Sequence, residues 1–197
     1  MKVRDTIFYK VVKPLVIFLI KVLYRPKVVG KENIPKEGRI LLAGNHKEWL
    51  DPVLLVAVQP RQVHFLAKEE LFHGIMKIIT KGMGCIPVNR KIHDKNALHG
   101  AIDFLNHDLC IGIFPEATIN RTQETILPFK IGAVKACKET NTLLVPFVIT
   151  GQYKLFGKTL KVEFFKPMKM GDDLDKENEK LMKLVKSELE GAKKNGR

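Results

Sequence analysis

Short apolar runs alternate with longer amphipathic stretches along most of the chain, and this alternation restricts the fold more than any other feature. The runs have the length of buried strands, and the stretches have the spacing of helices that bury one face. Predicted strands cover residues 27–30, 39–43, 63–67, 85–88, 109–114, 143–149 and 160–165, and predicted helices cover 52–58, 69–81 (broken at Gly74), 94–105, 129–139 and 174–189. Such alternation indicates the α/β class, with helices packed on a sheet.

The N-terminal segment, residues 1–24, is both basic and apolar. Residues 1–30 hold seven lysines and arginines against Asp5 alone, in a chain whose net charge is +13. The longest apolar run covers residues 15–20, far short of the about 20 residues that a transmembrane helix needs. We predict a helix in the headgroup region of a membrane, kinked or split in two by Pro14, with its lysines reaching lipid phosphates. Packing on the protein's own core is the alternative.

Several classes of function are disfavoured by what the sequence lacks. Three cysteines without a Cys-x-x-Cys spacing favour a reducing, cytoplasmic setting, and we predict Cys85, Cys110 and Cys137 to be core residues. No histidine pair with metal-ligand spacing stands beside a third ligand, so no metal site is predicted. The basic charge would suit a nucleic acid, but no nucleic-acid-binding motif occurs and the aromatic residues fall in apolar runs. We therefore expect no nucleic-acid partner.

A histidine and an aspartate follow one predicted strand. His46 comes just after the strand 39–43, and Asp51 stands where the N-cap of the next helix is predicted. Because the chain turns back between them, the carboxylate can fix the imidazole tautomer, and the other ring nitrogen can take a proton from an alcohol. A structural helix cap explains this pair equally well. No Gly-x-Ser-x-Gly sequence occurs, which disfavours a serine hydrolase.

Cationic residues follow other predicted strands. Lys68 comes directly after the strand 63–67, Arg90 follows 85–88, and Arg121 lies beyond the strand 109–114. Ligands of open α/β sheets bind where the carboxyl ends of the strands meet, so cations gathered there would form a phosphate pocket. Taken singly, each cation is better explained as a solvated surface charge.

Several sequence blocks, in order along the chain, resemble the 1-acylglycerol-3-phosphate acyltransferases, membrane-associated enzymes that make phosphatidic acid. The resemblance covers residues 25–167. Its blocks are VGKENIP at 29–35, Asn45-His46-x4-Asp51-Pro52, AKEELF at 67–72, GCIPVNR at 84–90, FPE at 114–116, LPFKIG at 127–132 and VPF at 145–147.

The resemblance implies a mixed sheet flanked by helices and a direct acyl transfer. His46 would be the general base and Asp51 would orient it, while an acyl group passes from acyl-CoA or acyl-carrier protein to the free hydroxyl of lysophosphatidic acid. No cofactor is implied. The substrate-binding residues would be Lys68, Arg90, Glu116, Thr118 and Arg121, and the acyl channel would be lined by Val145, Pro146 and Phe147.

The resemblance also implies a place in the cell. Residues 1–24 would form a membrane-interface helix or helix pair, and residues 25–197 the catalytic domain. Partners would be membrane phospholipids, the lysophospholipid acceptor and the acyl thioester. The enzyme would be peripheral or monotopic on the cytoplasmic side of the cell membrane.

The third motif departs from the family pattern. The family reads Phe-Pro-Glu-Gly-Thr-Arg, whereas this chain has Ala117 in place of glycine and Ile119 in place of arginine. The alanine adds a methyl group where the backbone would approach the ligand. The isoleucine removes a cation that would bind the phosphate of the acceptor. Arg121 could replace that cation. A different lysolipid or hydroxylated lipid acceptor, or a non-catalytic membrane-binding relative, are therefore the alternatives.

Overall fold

A seven-stranded sheet with helices on both faces forms the body of the molecule. The computed structural model describes residues 7–88 and 95–194, apart from the side chains of residues 95–97. The strands are β1 (Lys27–Val29), β2 (Ile40–Gly44), β3 (Val63–Lys68), β4 (Ile86–Val88), β5 (Cys110–Ile113), β6 (Leu143–Thr150) and β7 (Lys161–Phe164). The helices are α1 (Ile7–Leu23), α2 (Asp51–Val58), α3 (Met76–Gly82), α4 (Lys95–Asn106), α5 (Gly132–Glu139) and α6 (Leu174–Lys194), with 3-10 helices at Lys31–Asn33 and Glu69–Phe72.

The sheet is mixed, and β2 lies at its centre. The strand order is β1-β7-β6-β2-β5-β3-β4. β2 pairs in parallel with both β5 and β6, whereas β7 runs antiparallel to β6. β3 pairs in parallel with both β5 and β4, so the carboxyl ends of β2 to β6 meet at one edge of the sheet. The predicted α/β class, with a mixed sheet flanked by helices, is confirmed.

Both faces of the sheet are covered, which explains why its central strands are apolar throughout. Alternate residues of β2 point to opposite sides: Ile40 and Leu42 pack with α1 and α2, and Leu41 and Ala43 pack with α4, α5 and α6. Every residue of β2 is buried as a result. Cys110 and Cys137 are buried core residues as predicted, and Cys85 is partly exposed.

Helix α1 is one helix from Ile7 to Leu23 with Pro14 inside it, so the predicted single N-terminal helix is present and the alternative of two short helices is wrong. Contacts on either side of the proline hold the helix together. The hydroxyl of Tyr9 donates to the carbonyl of Arg61 at 3.0 Å, and Ile20, beyond Pro14, is buried in the core. These contacts offset the backbone hydrogen bond that proline cannot make.

Helix α1 has two different faces. One face packs on α2 and the core, and the other presents apolar side chains to the surroundings. Within the described ranges, 7–88 and 95–194, no helix combines the length and the apolar character needed to cross a bilayer.

Helix α5 begins at Gly132 and not at residue 129 as predicted. The backbone N–H of Lys130 donates to the carbonyl of Pro115 at 2.9 Å, and the side chain of Phe129 is buried. This tertiary contact keeps residues 129–131 out of the helix and ties them to the loop after β5.

Candidate active site

Asn45 continues the pairing of β2 beyond its last residue. Its side-chain Nδ2 donates to the carbonyl of Ile149 at 3.0 Å, and its Oδ1 accepts from the N–H of Ile149 at 2.8 Å. The buried side-chain amide thus makes the two hydrogen bonds to Ile149 that a backbone N–H and carbonyl would make in a sheet. Gly44 before it has no room for a side chain, since a Cβ there would lie 2.1 Å from the carbonyl oxygen of Phe147. The chain leaves the sheet towards His46 from a fixed position.

His46 and Asp51 form a hydrogen-bonded pair. Nδ1 of His46 lies 2.8 Å from Oδ2 of Asp51, and the two side chains are 12% and 0% exposed. The same Oδ2 accepts from the backbone N–H groups of Lys47 and Glu48 at 2.7 and 2.8 Å. Because Asp51 accepts from these groups, Nδ1 of His46 carries the proton and Nε2 remains as the acceptor.

Asp51 was predicted as the N-cap of α2, and this detail is wrong. Asp51 is the first residue of the helix, and Leu50 occupies the cap without a side-chain hydrogen bond. The carboxylate turns back to the loop that precedes the helix and not forward to the N–H groups of its first turn. Its position therefore serves His46.

Three further contacts hold His46. Its ring stacks on the ring of Phe114, with 4.1 Å between centroids and 19° between planes. Its backbone N–H donates to Oε1 of Glu116 at 2.8 Å, and its carbonyl accepts from the N–H of Asn120 at 2.9 Å. The backbone and the ring of His46 are thus fixed by the segment that follows β5.

Glu116 ties two loops together. Its second oxygen, Oε2, accepts from the backbone N–H of Leu127 at 2.9 Å, while Oε1 binds His46. Burial raises the pKa of this carboxyl, although both backbone hydrogen bonds oppose the shift. Both oxygens bond to backbone groups, so the structure gives Glu116 a role in shaping the loop around His46.

Ala117 adopts the left-handed conformation, with φ of 57°. Glycine enters this region without strain, whereas an alanine there is strained, so the left-handed backbone suits the glycine that the resemblance leads one to expect at this position. The alanine of this chain accepts the same turn, in which its N–H donates to the carbonyl of Phe114 at 2.9 Å. Ala117 therefore occupies this turn with a strained backbone.

Arg121 is exposed on a loop attached to His46. The neighbouring Asn120 bonds to the His46 carbonyl through its N–H, and its side chain bonds to Thr122 and to the carbonyl of Glu124. Ile119, in place of the family arginine, is partly exposed. The loop thus places a different cation two residues beyond the expected one.

Of the other predicted site residues, some are exposed at the carboxyl edge of the sheet and others are buried within β6. Lys68 is exposed at the carboxyl end of β3, and Thr118 is exposed in the loop after β5. Arg90 lies outside the described residues. Val145, Pro146 and Phe147 are buried within β6, where Phe147 packs against Phe114 and Phe164. Their roles in binding substrate remain predictions.

Two residues at the site were missed by the sequence analysis. The ammonium of Lys47 donates to the carbonyl of Gly151, and burial lowers the pKa of Lys47 although Asp51 and Glu48 oppose the shift. The hydroxyl of Tyr153 donates to Oδ1 of Asp51 at 2.6 Å. Tyr153 stands three residues beyond the end of β6, so the rule that sites gather at carboxyl strand ends could have found it.

Comparison with known proteins identifies the family. The model of the family named Acyltransferase matches residues 25–150. The chain belongs to this acyltransferase family. The resemblance seen in the sequence motifs is therefore confirmed.

Curated relatives carry a more specific name. The 1-acyl-sn-glycerol-3-phosphate acyltransferase of Bacillus subtilis is 34% identical over 146 residues, which are 73% of this chain and 69% of that protein. The protein of the same name from Borreliella burgdorferi is 34% identical over 136 residues, 68% of this chain and 54% of that protein. The matched region is thus only part of each relative.

The fold has a solved counterpart. The crystal structure of the 1-acyl-sn-glycerophosphate (LPA) acyltransferase PlsC from Thermotoga maritima aligns with a TM-score of 0.76 and 21% sequence identity. The alignment covers 94% of this chain and 81% of that protein. At this identity the match supports the fold alone.

Replacing Ala117 with glycine is expected to stabilise the protein. The left-handed conformation costs an alanine about 1–2 kcal/mol, and the greater freedom of an unfolded glycine offsets about 0.5–1 kcal/mol of the gain. Chemical denaturation should therefore show Ala117→Gly more stable than wild type by about 0.5–1 kcal/mol. The control Ala133→Gly, at a buried position in α5, should lose stability. Equal losses in both variants would contradict the strain at Ala117.

Proposed function

We propose that this acyltransferase moves a fatty acyl group from an acyl thioester, acyl-CoA or acyl-carrier protein, to the free hydroxyl of lysophosphatidic acid. The product is phosphatidic acid. The observation that carries the proposal is the 2.8 Å bond between His46 and the buried Asp51 at the carboxyl edge of the sheet. The names of the Bacillus and Borreliella relatives support the choice of acceptor.

The mechanism follows from the orientation of His46. Its Nδ1–H is held by Asp51, so Nε2 accepts the proton of the acceptor hydroxyl as that oxygen attacks the thioester carbonyl. The C–S bond then breaks, and the imidazolium returns the proton to the departing thiolate. The Asp51 carboxylate stabilises the imidazolium between these two steps. The acyl group passes directly to the acceptor, with no acyl-enzyme.

The acceptor phosphate is proposed to bind cations at the same edge of the sheet. Lys68 ends β3, and Arg121 stands next to Asn120, which bonds to the His46 carbonyl. Arg121 would take the place of the arginine that Ile119 replaces. An uncharged lysolipid acceptor is the second candidate, and Ile119 is the observation that favours it.

Association with a membrane surface is the second part of the proposal. A Cβ on Gly82 would lie 2.3 Å from the ring of Phe8, so α1 and α3 pack side by side. Their outer faces carry exposed apolar side chains: Ile7, Val11, Leu15, Phe18, Leu19 and Val22 on α1, and Ile75, Met76, Ile78 and Ile79 on or beside α3. Exposed lysines among them suit anionic headgroups. The enzyme would be monotopic or peripheral on the cytoplasmic side.

Removing the imidazole of His46 is expected to slow ester formation strongly. His46→Ala should lower kcat by about 10²–10⁴-fold, because the hydroxyl then lacks a general base. The assay offers lysophosphatidic acid, glycerol 3-phosphate and an uncharged lysolipid, each with acyl-CoA and with acyl-carrier protein. His107→Ala is the matched control, because His107 also lies near an aspartate but is exposed away from the site. No ester from wild type with any pair would refute the proposed activity.

Arg121 should discriminate phosphate from uncharged acceptors. We expect Arg121→Ala to raise KM for lysophosphatidic acid by about 10–100-fold, which corresponds to the binding free energy of one charge-assisted hydrogen bond. The KM for an uncharged lysolipid should stay unchanged. The control Lys186→Ala removes an exposed cation from α6 and should change neither value. Equal effects on both acceptors would show that Arg121 does not bind the phosphate.

Charges on the apolar face of α1 should release the protein from vesicles. Leu15 and Phe18 are 58% and 62% exposed, and burying each in lipid contributes about 1.5–3 kcal/mol. The double variant Leu15→Glu, Phe18→Glu should therefore bind anionic vesicles at least about 100-fold more weakly in a flotation assay. Ser187→Glu, at an exposed position of α6, is the control and should bind vesicles like wild type. Unchanged binding of the double variant would exclude this face as the membrane contact.

A further inference from the structure

Asp51 has two oxygens in different surroundings. Oδ2 accepts three hydrogen bonds, from the imidazole of His46 and from the N–H groups of Lys47 and Glu48. Oδ1 accepts one, from the hydroxyl of Tyr153 at 2.6 Å, and the described part of the chain supplies no other donor to it. Asp51 is fully buried, so Oδ1 without Tyr153 would be an unsatisfied charged oxygen.

The Tyr153 hydroxyl acts as a permanent donor. Burial, and next the negative charge of Asp51, raise the pKa of Tyr153 far above its usual range. The phenol therefore keeps its proton at neutral pH. It can donate to Asp51 and cannot compete with His46 for a proton.

The loop between β6 and β7 holds Tyr153 in place. The ring of Tyr153 packs edge to face against Tyr24, with 5.6 Å between centroids and 80° between planes. The backbone N–H of Phe156 donates to the carbonyl of Leu23 at the end of α1. Gly151 opens the loop with φ of 76°, at a point where a Cβ would lie 1.9 Å from the carbonyl oxygen of Thr159. The loop that carries Tyr153 is thus fixed before, at and after this residue.

We propose that Tyr153 is a positioning residue of the His46–Asp51 pair. Its hydroxyl holds Oδ1 of Asp51, so that the carboxylate cannot turn about its Cβ–Cγ bond and Oδ2 stays aligned with Nδ1 of His46. The inference rests on the proposed function, because the alignment matters for the rate only if His46 accepts the substrate proton. Tyr153 acts through Asp51 and touches no reacting atom.

The kinetic test compares two tyrosines that pack against each other. Tyr153→Phe removes one hydroxyl and keeps the ring. It should lower kcat by about 10–100-fold, with KM for both substrates within about twofold of wild type. Tyr24→Phe makes the same deletion on the neighbouring ring and should leave kcat unchanged. A kcat of Tyr153→Phe within about twofold of wild type would overturn the proposal.

A spectroscopic signal tests the alignment without turnover. Proton NMR detects the Nδ1–H of His46, identified by its loss in His46→Ala. Without the Tyr153 hydroxyl the carboxylate turns, Oδ2 loses its alignment with Nδ1 and the hydrogen bond weakens, so this resonance should move upfield in Tyr153→Phe. An unchanged resonance in a folded variant would assign Tyr153 a purely structural role. If wild type proves inactive, the proposed function fails, and this measurement still decides the role of Tyr153.

A second variant covers the case in which Tyr153→Phe does not fold. 3-Fluorotyrosine at position 153 keeps the ring and the hydroxyl but makes the phenol a stronger donor. Its stronger bond to Oδ1 draws negative charge from the carboxylate and weakens the bond from Nδ1, so the His46 Nδ1–H resonance should also move upfield. No movement in the fluorinated protein would overturn the proposal.

Discussion

The buried carboxylate of Asp51 is the group on which the rest of the site depends. A charge with no exposure to water must be surrounded by donors, and Asp51 has four. Three come from the loop 46–48 and the fourth comes from Tyr153, more than 100 residues away. The shape of that loop and the position of the segment after β6 are therefore both consequences of burying one aspartate.

The central position of β2 explains how these segments come together. Its neighbours β5 and β6 run parallel to it, so the chain leaves all three strands at the same edge of the sheet. The segment after β5 supplies Glu116 and Asn120, which bind the two backbone polar groups of His46. The segment after β6 supplies Tyr153 for Asp51. A histidine at the end of an outer strand would lack one of these two supports.

Much of the architecture could be predicted from the sequence because the central strands are apolar along their whole length and stand between amphipathic stretches. The pairing of His46 with Asp51 could also be predicted, since five residues suffice for one turn of chain. Contacts between distant segments could not. Residues 129–131 fit a helical pattern, but the N–H of Lys130 bonds to the carbonyl of Pro115 and keeps them out of the helix. Tyr153 bonds to Asp51 and belongs to no sequence motif. In α1, packing on both sides of Pro14 outweighed the tendency of proline to divide a helix.

The distances along the chain between bonded partners have a consequence for folding. His46 and Glu116 are 70 residues apart, Asn45 and Ile149 are 104 apart, and Asp51 and Tyr153 are 102 apart. Contacts of this separation form late, after the intervening chain has been ordered. A partly folded molecule therefore lacks the supports that Glu116 gives to His46 and Tyr153 gives to Asp51. Loss of activity during denaturation should coincide with global unfolding, and the enzyme serves as a reporter of its own folded state.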